Sequence, residues 1–176
     1  MRIANLFRRK QQHSLTENET TLLKADAGTR LKYSSCNWTI KKIIEYNWGE
    51  SYVSYDFILD NEIEIAYLCV EEIDNKLLLS FKKDSFLTNL AEGVLDEFKK
   101  SEVPPGTILF SDIQYLFDRE SVGKSRIENS TEWTDLISWE YIDKTNKHVL
   151  TVERFGNSDF FVSVGQNITI SEIELM

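Results

Sequence analysis

The sequence predicts an α+β protein dominated by antiparallel strands: two β units, as a duplication, a sandwich or a partly open barrel, with one amphipathic helix between them. Three observations carry this. Apolar residues recur at period two on both sides of the chain's middle. Turn-forming residues separate these runs at short intervals. One segment alone, Ser85 to Lys100, shows sustained helical spacing.

The organisation expected is an N-terminal segment, residues 1–27, followed by one β-rich domain over 28–176. Its half-units cover about 28–82 and 106–176, with the helix at 85–100. Residues 1–12 can be read as a frayed or locally packed terminus or as a short basic amphipathic turn, with Ile3, Leu6 and Phe7 on one side, that could touch an anionic membrane. In the polar stretch that follows, Ser14 is placed to cap a helical turn with Glu17 reaching back.

From Gly28 the period changes to two. Trp38, Ile40, Ile44 and Tyr46 alternate with Lys41, Ile43 and Glu45; Val53, Tyr55, Phe57 and Leu59 form a second strand; Ile63, Ile65, Tyr67 and Cys69 a third; Leu77, Leu79 and Phe81 a fourth. Turns fall at Asn47–Glu50, Asp60-Asn61 and Asp74-Asn75, giving a meander. In the helical segment Phe86, Leu87, Leu90, Ala91, Val94, Leu95 and Phe98 make the apolar stripe. Asp84 or Ser85 would cap it, and Val103-Pro104-Pro105-Gly106 stops it, because a residue before proline avoids the α region. Strands resume at Thr107–Phe110, Ile113–Arg119, Glu132–Ile142, Lys147–Phe155, Phe160–Val164 and Ile168–Leu175, with Glu120 to Ser130 read as a loop or exposed hairpin.

The halves resemble each other. Gly28-Thr29-Arg30-Leu31 matches Gly106-Thr107-Ile108-Leu109, Tyr55-Asp56-Phe57-Ile58 matches Trp139-Glu140-Tyr141-Ile142, and Val70-Glu71 matches Val152-Glu153, at offsets of 78, 84 and 82. Duplication and chance similarity between amphipathic strands both account for this.

Several patterns in this chain resemble one family. Trp139-Glu140-Tyr141, Leu150-Thr151-Val152-Glu153-Arg154-Phe155-Gly156, Phe160-Phe161 and Val164-Gly165 look like the C-terminal signature of the bacterial domain-of-unknown-function family DUF4178. Gly28-Thr29, Trp38-Thr39-Ile40 and Tyr55-Asp56-Phe57-Ile58-Leu59 are similar to its opening strands, so the resemblance spans about residues 22–175. It implies a β-rich cytoplasmic domain with no established activity, often encoded beside membrane-stress or membrane-remodelling proteins. The chain departs from the family pattern at Glu120–Ser130 and in its acidic stretch.

Charge narrows the partners. The net charge is −9; Arg2, Arg8, Arg9 and Lys10 make the first ten residues +4, which leaves −13 for the rest. Asp60, Glu62, Glu64, Glu71, Glu72 and Asp74 follow one another with no base between them. Such a body repels phosphate backbones, so no nucleic-acid partner is expected. Cys36 and Cys69 read as reduced core thiols of a cytoplasmic protein, with a Cys36–Cys69 disulfide as the alternative.

No catalytic, cofactor-binding or metal-binding residue is assigned, and no cofactor is expected. His13 and His148 lie beside no nucleophile elbow, although Cys36 or Cys69 could pair with His148 across the fold. Gly123-Lys124-Ser125 lacks the upstream glycine of a phosphate loop. Glu140 and Glu153, on adjacent strands, could face each other or pair with Arg154. The leading expectation is a non-enzymatic adaptor that binds a protein through Trp48 at a turn tip and the acids Asp60, Glu62, Glu64, Glu71, Glu72 and Asp74. The alternatives are an immunity or inhibitor protein for a basic toxin, and a small-ligand-binding β-barrel or enzyme.

Overall fold

The computed structural model describes residues 14–50, 52–73, 75–86, 90, 93–100 and 104–176. The expected basic N-terminal turn and Asp74 lie outside them. Helix α1 (Glu17–Leu23) leads into strands β1 (Arg30–Tyr33), β2 (Cys36–Asn47), β3 (Val53–Asp60), β4 (Ile65–Ile73) and β5 (Lys76–Ser85). After helix α2 (Val94–Lys100) come β6 (Thr107–Phe110), β7 (Ile113–Ile127), β8 (Thr134–Asp143), β9 (His148–Phe155), β10 (Asp159–Ile168) and β11 (Ile173–Leu175).

All the pairings are antiparallel. The sheet runs β11-β1-β2-β3-β4-β5-β10-β9-β8-β7-β6, and a further pairing of β2 with β7 closes the eight strands from β2 to β7 in that order into a ring. The expected β-rich architecture with two antiparallel units is therefore present, as one partly closed barrel rather than two stacked sheets.

The ring has approximate twofold symmetry, visible in its register. β1 and β2 meet through the left-handed pair Ser34-Ser35, and β6 and β7 meet through Ser111-Asp112, 77 residues later. The ladder from β2 to β3 is interrupted by a bulge between Ile40 and Lys42, that from β7 to β8 between Phe117 and Arg119, again 77 apart. Between β5 and β10, Phe81 opposes Gln166 while Val162 opposes Ser85, a reciprocal arrangement centred on Lys83 and Val164.

Two apolar cores follow from this. The first gathers Leu22 of α1 with Leu31, Trp38, Ile40, Phe57, Leu68 and Phe81; the second gathers Phe98 of α2 with Ile108, Tyr115, Trp139, Tyr141, Leu150 and Val152. Several corresponding positions are apolar in both halves, among them Leu31 and Ile108, Trp38 and Tyr115, Phe57 and Trp139, and Leu68 and Val152.

Four expectations change. The helix does not span Ser85–Lys100: β5 continues to Ser85 because Val162 offers it a ladder partner, Phe86 is 78% exposed, and Gly93 sits at φ +86°, which a helix interior does not allow. Neither Asp84 nor Ser85 is then a cap. Phe98 still does what the stripe predicts, seating its ring 5.0 Å from Trp139 and 6.3 Å from Tyr141. The capping box of α1 is formed by Thr16 and Glu19, not Ser14 and Glu17. Glu120–Ser130 is mostly strand, since β7 runs to Ile127 and reaches β2 there. Finally, Ile168–Leu175 divides into the end of β10, a 3-10 turn at Ile170–Glu172 and β11.

Candidate functional site

Alternation along each ring strand sends one set of side chains to the apolar cores and the other set into the space the ring encloses. The two bulges make this work. Before its bulge β2 turns Trp38 and Ile40 to the first core; the extra residue switches the faces, so Ile43 takes the core side and Ile44 and Tyr46 face the lumen. In β7 the matching bulge turns Arg119 and Ser121 inward.

The lumen is polar and charged. One part is a cleft of about 400 Å³. Its inner surface holds Tyr46, Asp56, Cys69, Lys82 and Glu153, and its walls carry Ile44, Ile58, Tyr67 and Phe155. Asp84, Asp159 and Phe161, all exposed, stand at its mouth. Beyond the shared inner residues lies a small void of about 30 Å³, bordered by Tyr52, Glu71, Arg119, Ser138, Glu140 and Thr151. It has room for about one water molecule.

At the closed end, Arg119 ties the strands together. Its guanidinium meets Glu71 at 2.5 Å and Glu140 at 3.1 Å, and Tyr52 donates its hydroxyl to Glu71 at 2.8 Å. Lys82, only 7% exposed, donates to the Thr151 hydroxyl at 3.0 Å. Burial by itself would drive its ammonium toward neutrality, but the nearby carboxylates of Glu140, Asp56 and Glu153 oppose burial and hold its pKa above the ordinary lysine value. Burial pushes the Cys69 thiol well up, with Asp56 adding to it, so the thiol is neutral and the carboxylates keep Lys82 charged.

Glu153 is the least committed acid. Burial, followed by the charge of Asp56, raises its carboxyl to about 7, and no hydrogen bond from a described residue stabilises it. Its neighbours are occupied: Asp56 accepts from the Tyr46 hydroxyl at 3.0 Å and Asp84 from the Tyr67 hydroxyl at 2.8 Å. A protonated Lys82 and a neutral Cys69 thiol are poor nucleophiles at neutral pH. Among the described residues, no three of His, Cys, Asp and Glu are grouped to hold a metal ion.

The residues singled out for a partner surface scatter. Trp48 is half-buried and folds back: its ring stacks on Tyr46 at 5.4 Å, and its indole N–H donates to Ser54 at 2.8 Å. Asp60 pairs with Lys41 at 3.6 Å and Glu64 with Lys83 at 2.6 Å. Glu71 turns into the lumen, while Glu62 and Glu72 are exposed. Glu140 and Glu153 do share a face on adjacent strands, but Glu140 opposes Thr151 and Glu153 opposes Ser138, and Arg119 rather than Arg154 is the basic partner. Cys36 is exposed, Cys69 is buried, and both are free thiols. His148 holds Asp143 at 3.1 Å and borders, with Cys36, a separate cleft of about 360 Å³.

Sequence reasoning passed over Lys82, Tyr46 and Arg119. The available signal was a long basic side chain within an apolar strand, Leu79-Ser80-Phe81-Lys82, which reads equally well as a solvent-facing position.

Fold and site define a class: an antiparallel β ring of approximate twofold symmetry, with two apolar cores on one strand face and an ionisable lumen on the other. The chain belongs to the DUF4178 family, described as a domain of unknown function, whose family model matches residues 26–169. No curated protein matches the chain, and no solved structure does.

Proposed function

We propose that this protein is a binding module that takes a small molecule into the lumen of its β ring. One observation carries the reading. Most symmetry-related core positions are apolar in both halves, Ile43 opposite Glu120 and Val70 opposite Arg154 being exceptions, whereas the polar groups of the cleft have no counterpart across the ring. Cys69 stands opposite Glu153 in the repeat, Lys82 opposite Ser163, Asp56 opposite Ser138 and Tyr46 opposite Gly123. Folding needs account for the matched pairs; the unmatched set serves something asymmetric between the halves. A cleft of about 400 Å³ is within the usual size of small-ligand sites, about 300–1,000 Å³.

Burying an ion is costly, so a lumen holding Lys82, Arg119, Asp56, Glu140 and Glu153 is a poor way to stabilise a fold. An adaptor surface at Trp48 and the acids draws less support, because Trp48 is committed to Tyr46 and Ser54 and several acids are paired. Two free thiols support a reducing, cytoplasmic setting. No helix among the described residues is long and apolar enough to cross a membrane.

The test is native mass spectrometry of the chain isolated from its source, beside a Ser163→Trp variant that fills the cleft. A bound small molecule released by denaturant and absent from the folded variant supports the reading. A chain that carries nothing, and gains nothing from a mixed metabolite extract, overturns it.

A further inference from the structure

The charge balance of the cleft names the kind of ligand. Four carboxyl groups line it, on Asp56, Asp84, Glu153 and Asp159, against the single ammonium of Lys82. Lys82 is already countered from several sides, by Asp56, Glu140 and Glu153. An incoming anion would have to pass Asp84 and Asp159 at the mouth and then displace those carboxylates from Lys82. A cation meets the opposite situation, with acids from the mouth inward and, at Glu153, a carboxyl with no hydrogen-bond donor among the described residues.

A second observation is independent of charge. The walls are apolar and aromatic: Ile44 and Ile58 on one side, Phe155 and Phe161 edge to face at 5.4 Å on another, and Tyr67 between. Phe161 is 54% exposed, an aromatic ring kept at an opening. Such walls offer a ligand's apolar body hydrocarbon and aromatic surface to bury, which an inorganic ion cannot use.

We infer that the lumen binds an organic cation, an amine with an apolar body, whose ammonium group is held by Glu153 and Asp56 and whose body lies against Phe155, Phe161 and Ile58. This rests on the ligand-binding reading above. The amine enters with its apolar part toward the walls, where burial of hydrocarbon adds to the charge attraction. Its charge completes the ion pairing that Lys82 alone leaves short.

The experiment is calorimetric titration of the full chain at pH 8 with three probes of equal length: octylammonium, octanol and octanoate. Octylammonium is expected to bind at least about tenfold more tightly than either of the others, a gap of about 1.4 kcal/mol. Glu153→Gln is expected to remove most of that preference, weakening octylammonium far more than octanol. A thermal melt of the variant confirms that it is folded, and Asp84→Asn, at the exposed mouth, gives a second, milder loss. Octanoate binding as tightly as octylammonium, or a preference untouched by Glu153→Gln, overturns the cation assignment and leaves the lumen as a ligand site. Failure of all three probes to bind overturns the amine assignment, while a small molecule still seen in the native mass spectrum keeps the ligand-binding reading.

Discussion

Glu153 and Lys82 are the two side chains in which fold and function conflict most directly. A carboxyl raised to about 7 binds its proton more tightly in the folded chain than in the unfolded one, where the ordinary value is 4.5. Its contribution to stability therefore falls as pH rises from about 4.5 to about 7, and stays reduced above that. Glu153→Gln removes this loss. The variant should gain on the order of 1–2 kcal/mol over the parent at pH 8, after allowance for solvent screening, and nothing at pH 4.5. Urea melts at both pH values check this; an equal gain at each would show that the carboxyl is not the cause. Lys82→Met acts the other way. It leaves Asp56, Glu140 and Glu153 without their shared counter-charge and should cost about 3–5 kcal/mol. Adding Glu153→Gln should restore part of that loss in the same melts.

At the scale of elements, the strands and turns were legible in the sequence because period-two apolar runs and Asn, Asp and Gly turns leave local signals. The bulges were not. One extra residue at Ile40–Lys42 reverses the faces of everything after it, so the alternation that groups Ile44 and Tyr46 with Trp38 and Ile40 separates Ile43 from the face it shares with Trp38 and Ile40. The internal repeat was seen, but two of its three matches were displaced by two residues. Tyr55-Asp56 aligns structurally with Ile137-Ser138, not with Trp139-Glu140. A slip of two keeps every side chain on its face, so amphipathic strands match almost as well out of register as in it. The lumen itself was invisible, because a polar residue facing an enclosed space looks like one facing solvent. One close contact between strands is directly testable. A Cβ on Gly165 would collide with the Phe81 carbonyl and come within 2.7 Å of the Lys82 Cα, where β10 crosses β5. Gly165→Ala should cost about 1–3 kcal/mol, whereas Gly106→Ala, with open space around it, should fall within about 0.5 kcal/mol of the parent. Thermal melts separate the two.

Over the whole molecule, the two apolar cores share no residue and lie on separate halves of the ring. Ile40 in the first and Ile108 in the second are both fully buried. Ile40→Val and Ile108→Val should each cost about 0.5–1.5 kcal/mol, and the double variant should equal their sum within about 0.5 kcal/mol. Coupling well beyond that would mean the charged layer transmits strain between the halves. The ring's two seams also differ. Seven residue pairs join β5 to β10, while four join β2 to β7. Because each half offers its neighbour the same two edges, nothing in the pairing itself requires both halves to come from one chain. Two chains that open at both seams can each accept the other's second half and recover every strand contact. The repeat that builds the lumen thus also gives the protein a low-cost route to a swapped dimer, with two complete lumens whose walls come from different molecules.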